Sequence, residues 1–434
     1  GTTTGDMHDS ATVENCKQFA RRGYVAASMD YRVGWNPIGA TQDIRTGTLL
    51  MAVYHAIQDA KTCVRYFKMD AKLQGNTFKI DTNKIIIAGQ GSGGYVALAY
   101  ASLDKSSEIS LLKFLATQTD LTYGFIAGQP YVNQAVWGDF DGFGGLTGFN
   151  QSNWPGYGNK VKMVVNMGGA MGDSTWLEAG DAAMVCFHVP NDPFAPYGYG
   201  NVIVPTTGQF VVAVSGSRDV CKIANQLGNN NVFDIPYNDP YTLHANTINE
   251  GFEGLCPFVE IDPSLVIPGN PFHGQAGPWE WWDSNALKII APFYGVPVSS
   301  IAGIYQGSIL TNPDMSKTKA LKYIDTIQGY LAPRIVQALQ LPGFYNSIND
   351  PNIFASNVKM FPNPATDYFT LRLEDAKQNM QYIQLFDVTG KLVRDIKGIN
   401  SAEVKISRDG LITGMYVVKI GLKEKEIQGK LLFE

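Results

Sequence analysis

The chain is sparing with charge: 17% of its 434 residues are charged, and the formal balance is −5. That excludes the basic surface that nucleic acid binding requires. No apolar run approaches the roughly 20 residues that span a bilayer, so no membrane-crossing segment is expected. Cysteine is scarce. Cys16, Cys63, Cys186, Cys221 and Cys256 show no C-x-x-C spacing, which argues against a zinc ribbon. Their odd number leaves at least one unpaired within the chain, and Cys186, in an apolar run, reads as a buried thiol. No lysine follows a glycine-rich turn at the spacing of a phosphate loop. The opening stretch GTTTGDMHDS is neither a secretory leader nor a start methionine, so the chain reads as processed, truncated or partial.

Apolar residues make up 45% of the chain, enough to fill a core at a length that suggests one large domain and a smaller one. From residue 10 to about 300, helical and strand-like segments alternate. SATVENCKQFARRG starts on a capping serine and stops at Gly23, and YVAASMDYR reads as a buried strand. RTGTLLMAVYHAIQDAKTCVRYFKMD has apolar residues at helical spacing. KIIIAGQ, KVKMVVNMGGAMG and AAMVCFHV read as further strands. This alternation predicts a mostly parallel, doubly wound α/β sheet. Residues 125–160, rich in glycine, asparagine and aromatics, read as an ordered excursion or lid, and residues 201–217 as a hairpin insertion. Near the end of this region, NPDMSKTKALKYIDTIQGYLAPRIVQAL is helical, with Asn312 or Asp314 as cap and a kink expected at Pro333. Residues 342–356 read as a linker. Beyond them the period changes to two. YFTLRLED, MQYIQLFDV, KLVRDIKGI, EVKIS, MYVVKIGL and EIQGKLLFE then predict a small β-sandwich over residues 357–434.

One stretch carries the chemical question. IIIAGQGSGGYVALAYA, residues 85–101, reads as strand, glycine-rich turn and helix. An α/β-hydrolase places its nucleophilic serine on such a turn, as G-x-S-x-G. Around Ser92 the leading glycine is replaced by Gln90. Around Gly91 both glycines are present, as Gly89 and Gly93, and the central side chain is missing.

Three motifs together resemble secreted bacterial esterases of the α/β-hydrolase superfamily over residues 5–340. They are RRGYVAASMDYRVG followed by HAIQDAKTCVRYF, then KIIIAGQGSGGYVALAYA, then FHVPNDPFAPYG. The resemblance implies an α/β-hydrolase fold whose N-terminal strands and oxyanion loop are missing from this sequence. It puts Asp192 in the place of the triad acid and Gly91 in the place of the nucleophile, with Ser92 one position later. The last region, with FPNPATDYFTL, IQLFDVTGKLV and GLITGMYVVKI, resembles the C-terminal sorting domain of type IX secretion cargo. It implies handling by the type IX machinery, passage across a Gram-negative outer membrane, and release or anchoring at the cell surface.

Serine-hydrolase chemistry needs a hydroxyl that meets a histidine, an acid that orients it, and backbone donors for the oxyanion. His244 and His273 follow Asp192 in the chain order Ser–Asp–His, with His244 the nearer, and neither has a Gly-x-Gly-His setting. His188, His55 and His8 read as structural, packing or surface residues. Asp139 and Asp141 in GDFDGFGG match the start of a short calcium loop but lack the remaining ligands, and a glycine-rich turn explains them more simply. No other cofactor is expected. Trp279, Trp281 and Trp282 read as packing residues. The expectation is a secreted, cell-surface protein of esterase fold that does no catalysis and serves binding, structure or assembly. Another chain or an upstream segment would complete its sheet. The alternative is an active serine carboxylesterase using Ser92, Asp192 and His244 or His273 on esters of polysaccharide or lipid.

Overall fold

The computed structural model describes residues 6–150, 153–204, 207–258, 274–342, 358–375, 378–423 and 426–434. The chain divides into two units, Gly1–Phe344 and Tyr345–Glu434. Apart from Pro342, the linker expected at 342–356 lies outside the described residues, as does His273.

The first unit opens with α1 (Ser10–Arg21) and the long α2 (Gln42–Leu73), whose first turn is capped by the Thr41 hydroxyl accepting from Ile44 N. Then come β1 (Ile86–Gln90), α3 (Ser92–Ser102), the single turn α4 (Gln134–Trp137), β2 (Met163–Met167) and β3 (Ala170–Met171). β4 (Ala183–His188), β5 (Tyr199–Ile203) and β6 (Phe210–Gly216) lead to α5 (Ser217–Gln226), α6 (Pro240–Ala245) and β7 (Leu255–Pro257). α7 (Ser284–Ile290), α8 (Ile301–Ile309) and α9 (Lys317–Ala338) close the unit. The hydroxyl of Ser316 caps α9, in place of the expected Asn312 or Asp314, and the helix continues through Pro333. Asp314 instead pairs with Lys319.

β1, β2, β4 and β7 form a parallel sheet in the spatial order β1-β2-β4-β7. Val164, Met184 and Cys186 pack on one side with Tyr54 and Ile57 of α2, Leu98 of α3 and Val220 of α5. Met163, Val165, Val185 and Phe187 pack on the other side with Ala11 of α1 and Ile327 and Tyr330 of α9. Helices therefore cover both faces, which is why every residue of β2 and β4 is buried and all but Asn166 and His188 are apolar. The expected hairpin is present as antiparallel β5 and β6, with β3 on the other edge of β6.

One expected element departs from its reading. YVAASMDYR runs without helix, turn or bend, but it joins no ladder among the described residues, and Val25 is 54% exposed. A strand is buried by its neighbours, and no described neighbour pairs with this one. The excursion at 125–160 is pinned to α2. Gln58 Nε2 donates to the Trp137 and Asp139 carbonyls, Tyr54 donates to the Gly138 carbonyl, and Arg65 donates to the Asn153 carbonyl.

The second unit contains β8 (Val358–Phe361), β9 (Tyr368–Leu373), β10 (Met380–Phe386), β11 (Leu392–Ser401), β12 (Glu403–Ser407), β13 (Gly414–Gly421) and β14 (Glu426–Phe433). They form two antiparallel sheets, β11-β10-β13-β14 and β12-β9-β8, around Phe369, Leu371, Leu385, Val418 and Leu431. The alternating pattern had indicated all of these strands except β8.

Candidate functional site

The turn from β1 to α3 is built by glycines. A Cβ on Gly89 would lie 1.9 Å from the Gly93 carbonyl oxygen, and one on Gly94 would lie 2.2 Å from Asn166 Oδ1. Strand and helix can approach this closely only without those side chains. At the apex, Gly91 has φ 52° and ψ −117°, a region that costs other residues about 1–3 kcal/mol. A hydrolase elbow carries its reactive side chain on a strained residue at the apex of such a turn. Nothing lies within 4 Å of a Cβ placed on Gly91, so the position is sterically open and chemically empty.

Ser92 is the first residue of α3, exposed, and its Oγ lies 2.9 Å from the Tyr31 hydroxyl. Burial raises the Tyr31 pKa, with the Ser92 contact opposing it, so this phenol is no base at neutral pH. Among the described residues, no histidine bonds to Ser92. The structure therefore places Ser92 beside the apex and Gly91 on it.

Asp192 follows β4, at the same end of the sheet. Its Oδ1 accepts from the backbone N–H of Phe194 (2.7 Å) and Ala195 (3.0 Å). Burial of the carboxyl outweighs these two bonds and pushes its pKa up to about 7. Oδ2 lies 3.6 Å from a Cβ built on Gly168, and Trp279 Cζ2 lies 3.4 Å from the same point. Glu280 stands near Asp192; burial first, then Asp9 and Asp192, raise it to about 7. Asp9, raised to about 6 chiefly by burial, completes an acidic neighbourhood.

The acid loop rests on a buried polar chain. Gly169 N–H donates to Asn166 Oδ1, and Asn166 Nδ2 donates to Ser217 Oγ at 2.9 Å. Ser217 Oγ lies 2.6 Å from His188 Nδ1, and His188 Nε2 lies 3.0 Å from the Ala195 carbonyl. The carbonyl can only accept, so Nε2 carries the proton and Nδ1 accepts from Ser217. Burial lowers the His188 pKa to about 4, which keeps the ring neutral. His188 is thus the structural residue its strand position suggested. Ser217 and Asn166 gave no comparable signal, since they belong to segments far apart in sequence.

The remaining candidates separate. His244 sits exposed in the last turn of α6, before β7, and no described side chain bonds its ring. Gly274, which follows His273, packs against the acid loop: a Cβ there would lie 1.5 Å from the Asn191 carbonyl oxygen. His55 packs its ring 4.6 Å from Trp137, and burial lowers its pKa to about 4. Asp139 Oδ1 accepts from the N–H groups of Asp141 and Phe143, and Asp141 pairs with Lys61 at 3.1 Å and with Asn159. Both aspartates thereby organise the excursion, and among the described residues no cluster of three or more potential ligands could hold a metal. Trp279 is buried in the core, with Trp281 packed against it.

These features define an α/β unit with a glycine-built strand–turn–helix after β1 and a buried aspartate after β4, joined in sequence to a β-sandwich. Residues 1–124 match the BD-FAE family model, and residues 359–434 match the secretion system C-terminal sorting domain. No curated protein matches the chain. Among solved structures, a DUF3244 family protein of Bacteroides vulgatus with an immunoglobulin-like β-sandwich is 22% identical. That match covers 18% of this chain and 85% of the other, at a TM-score of 0.16. Dimeric latent PorU from Porphyromonas gingivalis is 20% identical over 18% of this chain and 9% of its own, at a TM-score of 0.14. The chain thus carries an esterase-like α/β-hydrolase segment and a type IX sorting domain. The sorting domain marks it for the type IX secretion machinery and for passage across the outer membrane to the cell surface or beyond. Among the described residues no helix is long and apolar enough to cross a membrane.

Proposed function

We propose that the first unit is an esterase-fold module without serine-hydrolase chemistry, displayed outside the cell for binding or assembly. The observation that carries this reading is Gly91 at φ 52° and ψ −117°, where a nucleophile would stand. An elbow fixes its reactive atom by the strain of one residue. Ser92, one residue on, has entered the helix and meets a phenol in place of a basic ring. The acid remains, but an acid orients a base only for a nucleophile to use.

A fluorophosphonate probe tests the reading, with Ser92→Ala as control and circular dichroism to verify the fold. The folded protein should take up no probe and hydrolyse 4-nitrophenyl acetate no faster than the Ser92→Ala variant. Labelling abolished by Ser92→Ala would overturn the proposal and establish Ser92 as a nucleophile, with Asp192 and either His244 or His273 as partners.

A further inference from the structure

Helix α5 lies on β4, and two contacts fix how. Ser217 Oγ, at the first residue of the helix, lies 2.6 Å from His188 Nδ1 at the last residue of the strand. Past the other end of the helix, Asn230 Oδ1 accepts from Met184 N, and Asn230 Nδ2 donates to the Met184 carbonyl, near the start of the strand. Helix and strand therefore run antiparallel. Cys186 stands two residues before His188 on the same face of β4, about 6.6 Å back along the strand. Cys221 stands four residues after Ser217 on the same face of α5, about 6 Å along the helix in the same direction. The two spacings match, so the two cysteines meet side by side, next to the Ser217–His188 contact.

The packing agrees. Cys186 and Cys221 are both 0% exposed, both belong to the core on this side of the sheet, and their thiols are in hydrogen-bonding contact. Both are thiols in the structure, as are the other three cysteines. Those three stand apart. Cys256 is in register with Phe187 and packs with it on the opposite side of the sheet. Cys16 is on α1, which covers that opposite side. Cys63, on α2, neighbours Tyr100 of α3, the helix packed on β1 and β2.

We propose that Cys186 and Cys221 are joined by a disulfide in the secreted protein, fastening α5 to β4 beside the loop that carries Asp192. The sorting domain sends this chain across the outer membrane, so it first passes through the periplasm, where disulfides form and persist. The oxidant is the disulfide of a periplasmic thiol oxidoreductase. One cysteine, as thiolate, attacks that disulfide and forms a mixed disulfide; the second, also losing its proton, displaces the carrier. The Cys186–Cys221 bond forms, the carrier's own sulfur–sulfur bond breaks, and the carrier leaves as a dithiol with the two electrons and two protons. Burial holds the Cys221 thiol well above its ordinary pKa, so little thiolate is available once α5 has docked. The reaction therefore belongs to folding, and the same burial shields the finished bond from reductants. Residues 187–220 become a closed loop, which restrains the unfolded chain and so favours the folded one. His188, Asp192, Ala195 and Ser217 all lie within it.

Thiol mapping tests this on the protein as its own cells secrete it, unfolded in guanidinium chloride with N-ethylmaleimide and no reductant, then digested for mass spectrometry. Cys16, Cys63 and Cys256 should carry the label, and the peptides holding Cys186 and Cys221 should appear joined, separating only on reduction. Label on Cys186 and Cys221 without reduction would overturn the proposal, and so would a joined pair of any other two cysteines. Hydrogen exchange reads the fastening. After reduction in denaturant and refolding, the amides of Val220 and Ala224 should exchange at least about 100-fold faster than in the oxidised protein. Equal exchange in the two forms would overturn that role. Cys221→Ser should exchange like the reduced protein with or without reductant, and exchange as slow as in the oxidised native protein would count against the fastening equally. If the variant fails to fold, the mapping decides, since it needs only the native protein.

Discussion

The elbow after β1 and the acid loop after β4 sit at the same end of one sheet and have fared differently. The turn after β1 has tight glycines at 89 and 94 and, at its apex, Gly91 with a positive φ and no side chain. The loop after β4 carries a buried carboxyl, Asp192, and rests on a buried chain of four hydrogen bonds. Backbone geometry and chemistry are thus separable. The first is held by packing that the fold needs, and the second by single side chains that it does not.

Substitutions can sharpen that contrast. The largest loss is expected at Gly89→Ala, whose methyl would meet the Gly93 backbone. About 3 kcal/mol or more of stability should be lost, read as a fall in the denaturant midpoint. His188→Ala comes next, since it leaves the Ser217 hydroxyl proton without an acceptor and the Ala195 carbonyl without a donor in the core. Chemical denaturation should show a loss of about 3 kcal/mol, with little recovered by Asn, which cannot reach both partners.

Asp192→Asn should do the opposite. The carboxyl titrates near 7 when folded and near 3.8 when unfolded. Between those values the unfolded chain binds fewer protons, so this group withdraws stability as pH rises from about 4 to 7. The amide keeps the Oδ1 acceptor without the charge. The variant should match the native protein near pH 4 and exceed it by about 4 kcal/mol at pH 8. A pH-independent difference would show that Asp192 is ionised through a partner beyond those described. The smallest effect belongs to Gly91→Ala. Space is available there, so only the positive φ opposes the methyl and the cost should be about 1 kcal/mol. If Gly91→Ala proved as harmful as Gly89→Ala, the apex would not be the open position described.

Much of this was legible in the sequence because it is local. The strand–turn–helix around Gly91 lies within seventeen consecutive residues, and Asp192 stands four residues past the strand that ends at His188. The alternating segments after residue 357 announced a sandwich for the same reason, although β8 escaped notice. Glu280 and the Asn166–Ser217–His188 chain were illegible. Their partners lie tens of residues apart, and neither spacing nor periodicity records such meetings. YVAASMDYR shows the converse. Its composition specifies a strand, but composition cannot provide the neighbour that a ladder requires.

By itself the sequence placed the strand–turn–helix at residues 85–101 and the sorting domain at 357–434, because each is announced by residue patterns that run along the chain. It also determined that the apex is glycine. Only the tertiary structure decided that Gly91, and not Ser92, occupies the strained conformation. It alone assigned the buried Asp192 carboxyl a pKa near 7 and, among the described residues, paired β1 on one side only. Each of these depends on what surrounds a residue in space, and burial, strain and strand pairing arise only when distant segments come together.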